Sequence, residues 1–107
     1  MDYFSELNCA VTICDIHGTV IYANEKAKQT FEKYGDLIGK NLESCHSSKS
    51  WEKVLKMLQT NASNVYTIEK NGQKKLIYQT PWTESGETKG LIEFSFVIPF
   101  SMPHFER

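Results

Sequence analysis

The chain has 107 residues, 40% hydrophobic and 23% charged, with a formal net charge of -1. That length makes one domain around one core, which buries about two thirds of the surface the unfolded chain exposes, and a nearly neutral balance excludes gathering nucleic acid or anionic lipid by charge alone. No apolar run approaches the roughly eighteen residues of a membrane helix, the opening MDYFSELN is not an export signal, and Cys9, Cys14 and Cys45 form no C-x-x-C pair, so the expected setting is a reducing cytoplasm with free thiols.

Residues 2–7 read as a short amphipathic helix with Asp2 at its N-cap and Tyr3, Phe4 and Leu7 as its apolar side chains. A helix so short holds only if it docks. CAVTIC (9–14) and TVIYA (19–23) are two strands joined by DIHG, close enough to pair antiparallel. Gly18 suits a turn with positive φ, and Asn24 suits a helix N-cap. Beyond it Ala27, Phe31 and Tyr34 recur at helical spacing among charged residues, which predicts an amphipathic helix over 25–34, ended by Gly35. Residues 36–48 predict one helical turn or an irregular segment.

Trp51, Val54, Leu55 and Leu58 stand at i, i+3, i+4 and i+7 and predict a second helix, stopped by TNASN. NVYTIEK (64–70) and QKKLIYQTPW (73–82) flank Asn71-Gly72, a strong hairpin signal because a type I′ turn needs positive φ at both central residues. The segment TESGET then turns the chain into GLIEFSFVI (90–98). Apolar residues in both registers of that last strand, Leu91 and Val97 against Phe94 and Phe96, suit a central strand partly covered on both faces. Pairing it with the first strand gives an α+β fold, a five-stranded antiparallel sheet in the order 2-1-5-4-3 with short helices on one face.

The stretch DIHGTVIYAN with its amphipathic helix, LIGKNL at 37–42, and the helix and three-strand meander ending in GLIEFSFVI resemble the PAS family of small sensory domains, which has a profilin-like fold. The resemblance covers roughly residues 5–98 of a single domain spanning 1–107, with 99–107 as an apolar tail. It implies that the asparagine turns the chain from sheet to helical half, while the acid and glycine fix the hairpin. It further implies a non-catalytic signalling module with a cup between helices and sheet, acting in trans. Light-sensing flavin relatives place a cysteine directly after an asparagine in a stretch like GKN; here that residue is Leu42, which argues against covalent flavin photochemistry.

Cys45-His46 is where two metal-capable side chains adjoin. Some PAS relatives bind haem through a histidine in this half of the fold, so an axial-ligand role stands beside the simpler reading of a packed thiol and a solvated or capping imidazole. His17 and His104 are isolated, and no G-x-S-x-G, P-loop or metal-spaced cluster occurs, which argues against an enzyme. The aromatic residues are the more informative set, as core filling or as the lining of a ligand cavity. The candidate cup is Phe31, Tyr34, Leu42, His46, Trp51, Leu55, Leu58, Tyr66, Tyr78 and Phe94, holding a small, mostly apolar or aromatic metabolite. Ile98, Phe100 and Met102 continue an apolar alternation into the tail, either folding back on the sheet or covering a partner. With Tyr3, Phe4 and Leu7 they form the candidate interface of a homodimer or of a signalling partner, as PAS relatives pair through that face. The rival readings are a constitutive dimerisation adaptor with a solid core, and a haem or redox sensor using Cys45-His46.

Overall fold

The computed structural model describes residues 1–42 and 48–107. Five strands, β1 (Ala10–Asp15), β2 (Val20–Ala23), β3 (Asn64–Lys70), β4 (Gln73–Glu84) and β5 (Glu87–Ile98), form one antiparallel sheet in the order β2-β1-β5-β4-β3. β5 pairs with β1 along one side and with β4 along the other. The last strand is therefore central, and the expected strand order holds.

The hairpin joining β1 and β2 is built by the residues that marked it. The Asp15 carboxylate accepts from the backbone N–H groups of His17 and Thr19 at 2.9 and 3.0 Å, and Gly18 takes φ 82° between them. A Cβ on Gly18 would overlap the indole of Trp51, so the glycine also leaves room for the second helix to seat its tryptophan on the turn. After β2, Asn24 caps α1 (Glu25–Thr30) by accepting from Ala27 N–H at 3.0 Å. The predicted helix over 25–34 is shorter than its periodicity suggests. At Phe31 the backbone leaves helical geometry, one tight 3₁₀ turn follows over Glu32–Tyr34, and Gly35 ends it at φ 75°. Residues 38–42 then run beside β2: Val20 N–H donates to Lys40 O and Leu42 N–H to Gly18 O, each at 2.8 Å. They cover a sheet edge that would otherwise present unpaired backbone.

The second helix, α2 (Ser48–Thr60), buries Val54, Met57 and Leu58. Leu55, expected on that stripe, is instead 36% exposed, because the buried stripe is centred on Val54, Met57 and Leu58, at i, i+3 and i+4, which leaves Leu55 at its margin. Cys14 and Leu91 of the sheet pack with this stripe, while Ala10, Val20, Ala23, Ala27 and Leu37 form the core under α1. Leu42 touches both clusters. Both helices thus lie over the same side of the sheet.

Two local expectations are corrected. Residues 2–7 form consecutive turns rather than a helix, with Ser5 N–H reaching Asp2 O at 3.4 Å and Leu7 N–H reaching Phe4 O at 3.2 Å. A segment this short is helical only where packing supports it, as burial of Ala27 does for the six residues of α1, and here the Asp2 carboxylate takes the Phe4 N–H at 2.9 Å instead. The second hairpin turn is only Ser85-Gly86, at φ 53° and 80°, so β4 and β5 run further than TESGET suggested. Pro81 is accommodated inside β4 because β3 ends its pairing at Gln79, leaving β4 an edge beyond that point.

Candidate functional site

Because side chains alternate along a strand, one register decides what faces the helices. On β5 these are Leu91, Glu93 and Ser95; their cross-strand partners on β1 are Cys14, Thr12 and Ala10, and on β4 Gln79 and Ile77 stand opposite Glu93 and Ser95. Opposite Ile77, Tyr66 adds the β3 contribution. The floor of the cup is thus largely aliphatic and small, with one polar row across it.

That row is Asn64, Gln79, Glu93 and Thr12, successive cross-strand neighbours on β3, β4, β5 and β1. Asn64 Nδ2 donates to Gln79 Oε1 at 3.1 Å, and Gln79 Nε2 donates to Glu93 Oε1 at 3.2 Å. Gln79 is 8% exposed, so its amide is held by these two partners and points its N–H toward the carboxylate. Reversing the amide would set oxygen against oxygen. The Tyr66 hydroxyl is pushed above the ordinary tyrosine value, first by desolvation and then by the Glu93 charge.

Three spaces meet at Thr12 and Glu93 of this row, and a separate one of about 280 Å³ lies over Asn64, Tyr66 and Gln79 beside Ser50, Lys53 and Val54. The largest of the three that share Thr12 and Glu93, about 210 Å³, includes Ala10, Thr12, Thr30, Phe31, Tyr66, Ile77, Glu93 and Ser95 in its lining, with Lys70 and Lys75 also at its wall. A second, about 100 Å³, is lined by Thr12, Val20, Phe31, Tyr34, Leu37, Leu42 and Glu93. A third, about 20 Å³, lies between Leu42, Val54, Cys14, Gln79 and Leu91, again with Thr12 and Glu93. Thr12 and Glu93 border all three, and Phe31 borders the larger two, so these are lobes of one cup divided by a phenylalanine that follows α1. Together they reach the low end of roughly 300–1,000 Å³ for small-molecule sites.

Of the residues expected to line this cup, the structure brings Phe31, Tyr34, Leu42 and Tyr66 to it. Leu58 is packed into the core under α2, Trp51 lies against the Gly18 turn and that same core, and Leu55 faces solvent. Tyr78 and Phe94 are corrected: they are cross-strand partners in the other register and lie on the outer face of the sheet. There Phe94 meets Phe4 edge-on at 6.4 Å and stacks on Phe96 at 5.8 Å. His46 and Cys45 lie outside the described residues. Glu93, Gln79 and Thr12 were not singled out from the sequence, although the alternation that places Leu91 inward also places Glu93 there.

The outer face carries the N-terminal segment. Asn24 Nδ2 donates to Phe4 O at 2.8 Å and Cys9 O at 2.9 Å, while its Oδ1 accepts from Val11 N–H and Ala27 N–H at 3.0 Å each. One buried amide thus ties the segment bearing Phe4 to β1 and to the helix that leads into Phe31. The Tyr22 hydroxyl donates to the Asp2 carboxylate, a second tie. It holds the Asp2 carboxyl below its usual value, and desolvation followed by the Asp2 bond pushes Tyr22 up to about 12. Tyr3 is 80% exposed, and Phe100, Met102 and Phe105 of the tail also face solvent.

A family model described as the PAS domain matches residues 8–96. No curated protein matches the chain by sequence. Among solved structures, a PAS domain from Colwellia psychrerythraea superposes with a TM-score of 0.66 at 16% identity, covering 89% of this chain and 90% of that one. The PAS domain of the histidine kinase ThkA gives 0.68 at 15% identity, covering 83% and 98%. VqmA bound to DPO gives 0.69 at 18% identity, covering 91% of this chain and 55% of that longer one, and a VqmA structure is from Vibrio cholerae. Among the described residues no helix is long and apolar enough to cross a membrane. The matched span takes in both helices and the whole sheet but for Val97 and Ile98 of β5, and the chain belongs to the PAS domain family, whose fold is typical of sensory and signalling modules.

Proposed function

We propose that this chain is a cytoplasmic, non-catalytic sensory module that takes a small ligand into the cup and signals by changing the contacts of its outer face. The observation that carries the reading is the set of lobes sharing Thr12, Glu93 and Phe31, an unfilled and partly polar interior where a purely structural core would close. VqmA, a fold neighbour, is described as bound to DPO, which supports a ligand in this fold without naming one for this chain. The outer face supports the second half of the proposal. Phe4, Tyr78, Phe94, Phe96 and Ile98, with Phe100 and Met102 beyond, form an apolar surface suited to a second copy of the chain, and the expected state is a homodimer. A ligand shifts such a contact only through differential affinity for two states.

Native mass spectrometry of the freshly purified full chain tests both parts at once. The expected spectrum shows a dimer carrying a small-molecule mass, and light scattering at high micromolar concentration returns the dimer mass. A dimer with no bound mass, together with a small-molecule thermal-shift screen without a hit, favours a ligand-free adaptor and contradicts the sensory reading. A monomer contradicts the interface.

A further inference from the structure

The 210 Å³ lobe of the cup has two chemically different ends, and the inference drawn from them rests on reading the cup as a ligand site. On the inward face β4 runs from Gln79 through Ile77 to Lys75, and β3 from Tyr66 through Ile68 to Lys70. Lys75 stands opposite Ile68 and Lys70 opposite Gln73, so the two lysines are diagonal neighbours on one face, about 7–8 Å apart at the backbone and within reach of each other. The neighbouring carboxylate, Glu69, lies in the other register opposite Lys74. Among the described residues neither Lys70 nor Lys75 has a carboxylate within ion-pair distance. Two ammonium groups thus share one end of the lobe without a counter-charge. Glu93, at the other end, stands opposite Gln79, four residues along β4 from Lys75 and about 13 Å away at the strand rise.

Between these ends Phe31, Tyr66, Ile68 and Ile77 line the lobe. A cation is repelled at the lysine end, and a neutral ligand leaves the two like charges facing each other. An organic anion relieves that repulsion and buries its body on the apolar lining. We propose that the lobe selects a small organic acid, its apolar body against Phe31, Tyr66 and Ile77 and its carboxylate between Lys70 and Lys75. Glu93 sets the direction of entry, because its charge repels an acid that enters carboxylate first. Lys70 is exposed and Lys75 half-buried, so the contact stays partly hydrated and weakens with salt.

The test uses three probes of matched size, hydrocinnamate, hydrocinnamyl alcohol and hydrocinnamylamine, titrated by ligand-observed NMR at neutral pH and low salt into the full chain. The expected order is acid, then alcohol, then amine, with the acid favoured over the alcohol by roughly fivefold. The double variant Lys70→Met with Lys75→Met keeps the aliphatic stems and is expected to erase that preference while binding the alcohol at least as well. Lys74→Met removes the same charge from the opposite face of the same hairpin, and is expected to keep the preference. An alcohol or amine that binds the native chain as tightly as the acid overturns the inference. So does a preference that survives in the double variant, or one lost equally in Lys74→Met, which would show a general effect of net charge. If the double variant does not fold, the order in the native chain and in Lys74→Met decides. Failure of all three probes at millimolar concentration overturns the inference, and whether the cup reading falls with it is read separately from the bound mass in the native spectrum.

Discussion

Gly90→Val is expected to unfold the domain, or to lower its stability by more than about 3 kcal/mol in urea denaturation followed by circular dichroism. Gly90 lies on central β5 between Asp15 of β1 and Trp82 of β4. The Trp82 indole crosses the sheet there and donates from Nε1 to Cys14 O at 3.0 Å. A Cβ on Gly90 would overlap both that carbonyl and the indole nitrogen. The carbonyl is backbone in a paired strand and cannot swing aside, so a side chain must part β1 from β5 or expel the tryptophan. Gly35→Ala is the contrast. It has φ 75° with ψ -147°, a conformation largely restricted to glycine, but open space around it, and is expected to cost about 1–3 kcal/mol.

The second large effect belongs to Asn24. Its amide makes four hydrogen bonds from a nearly inaccessible position. Asn24→Ala removes the cap of α1 and leaves the buried Val11 N–H without its partner, together costing about 3 kcal/mol or more. Asn24→Asp separates the two halves of this role. The carboxylate still accepts from Ala27 and Val11, but cannot donate to Phe4 O or Cys9 O. The expected result, by amide hydrogen exchange, is a protected α1 and an unprotected segment around Phe4. Equal loss of protection in both would show that the ties are not separable. The distinction bears on signalling, because this amide joins the cup helix to the segment covering Phe94 on the outer face.

Much of the fold was legible because its punctuation is local. Asn71-Gly72, Gly18 with Asp15, and Asn24 each act through backbone geometry or a neighbouring N–H, and each stands where that chemistry requires it. Strand order followed from β5 having apolar residues in both registers. The cup was less legible for a specific reason. Phe94 and Tyr78 look like lining because they are large and aromatic, but inward and outward registers of β5 are both apolar, so side-chain type alone does not say which faces the helices. Glu93 is the marker that was passed over. Its place inward depends on pairing with Gln79 and Thr12, residues 14 and 81 positions away in the chain, and only the assembled sheet brings the row together. The N-terminal segment failed as a helix because its apolar spacing is real but too brief for propagation. What orders it is Asn24, a residue outside the segment.

The most direct test of a ligand-occupied cup is a titration of ¹⁵N-labelled full chain with the small molecule found in the native spectrum or the thermal-shift screen, followed through the backbone amides. The account predicts shifts first at Thr12, Phe31, Gln79 and Glu93, extending through Asn24 to the segment at Phe4. Shifts confined to Phe94, Phe96 and Ile98 on the outer face, or no shifts at saturating ligand, would contradict it.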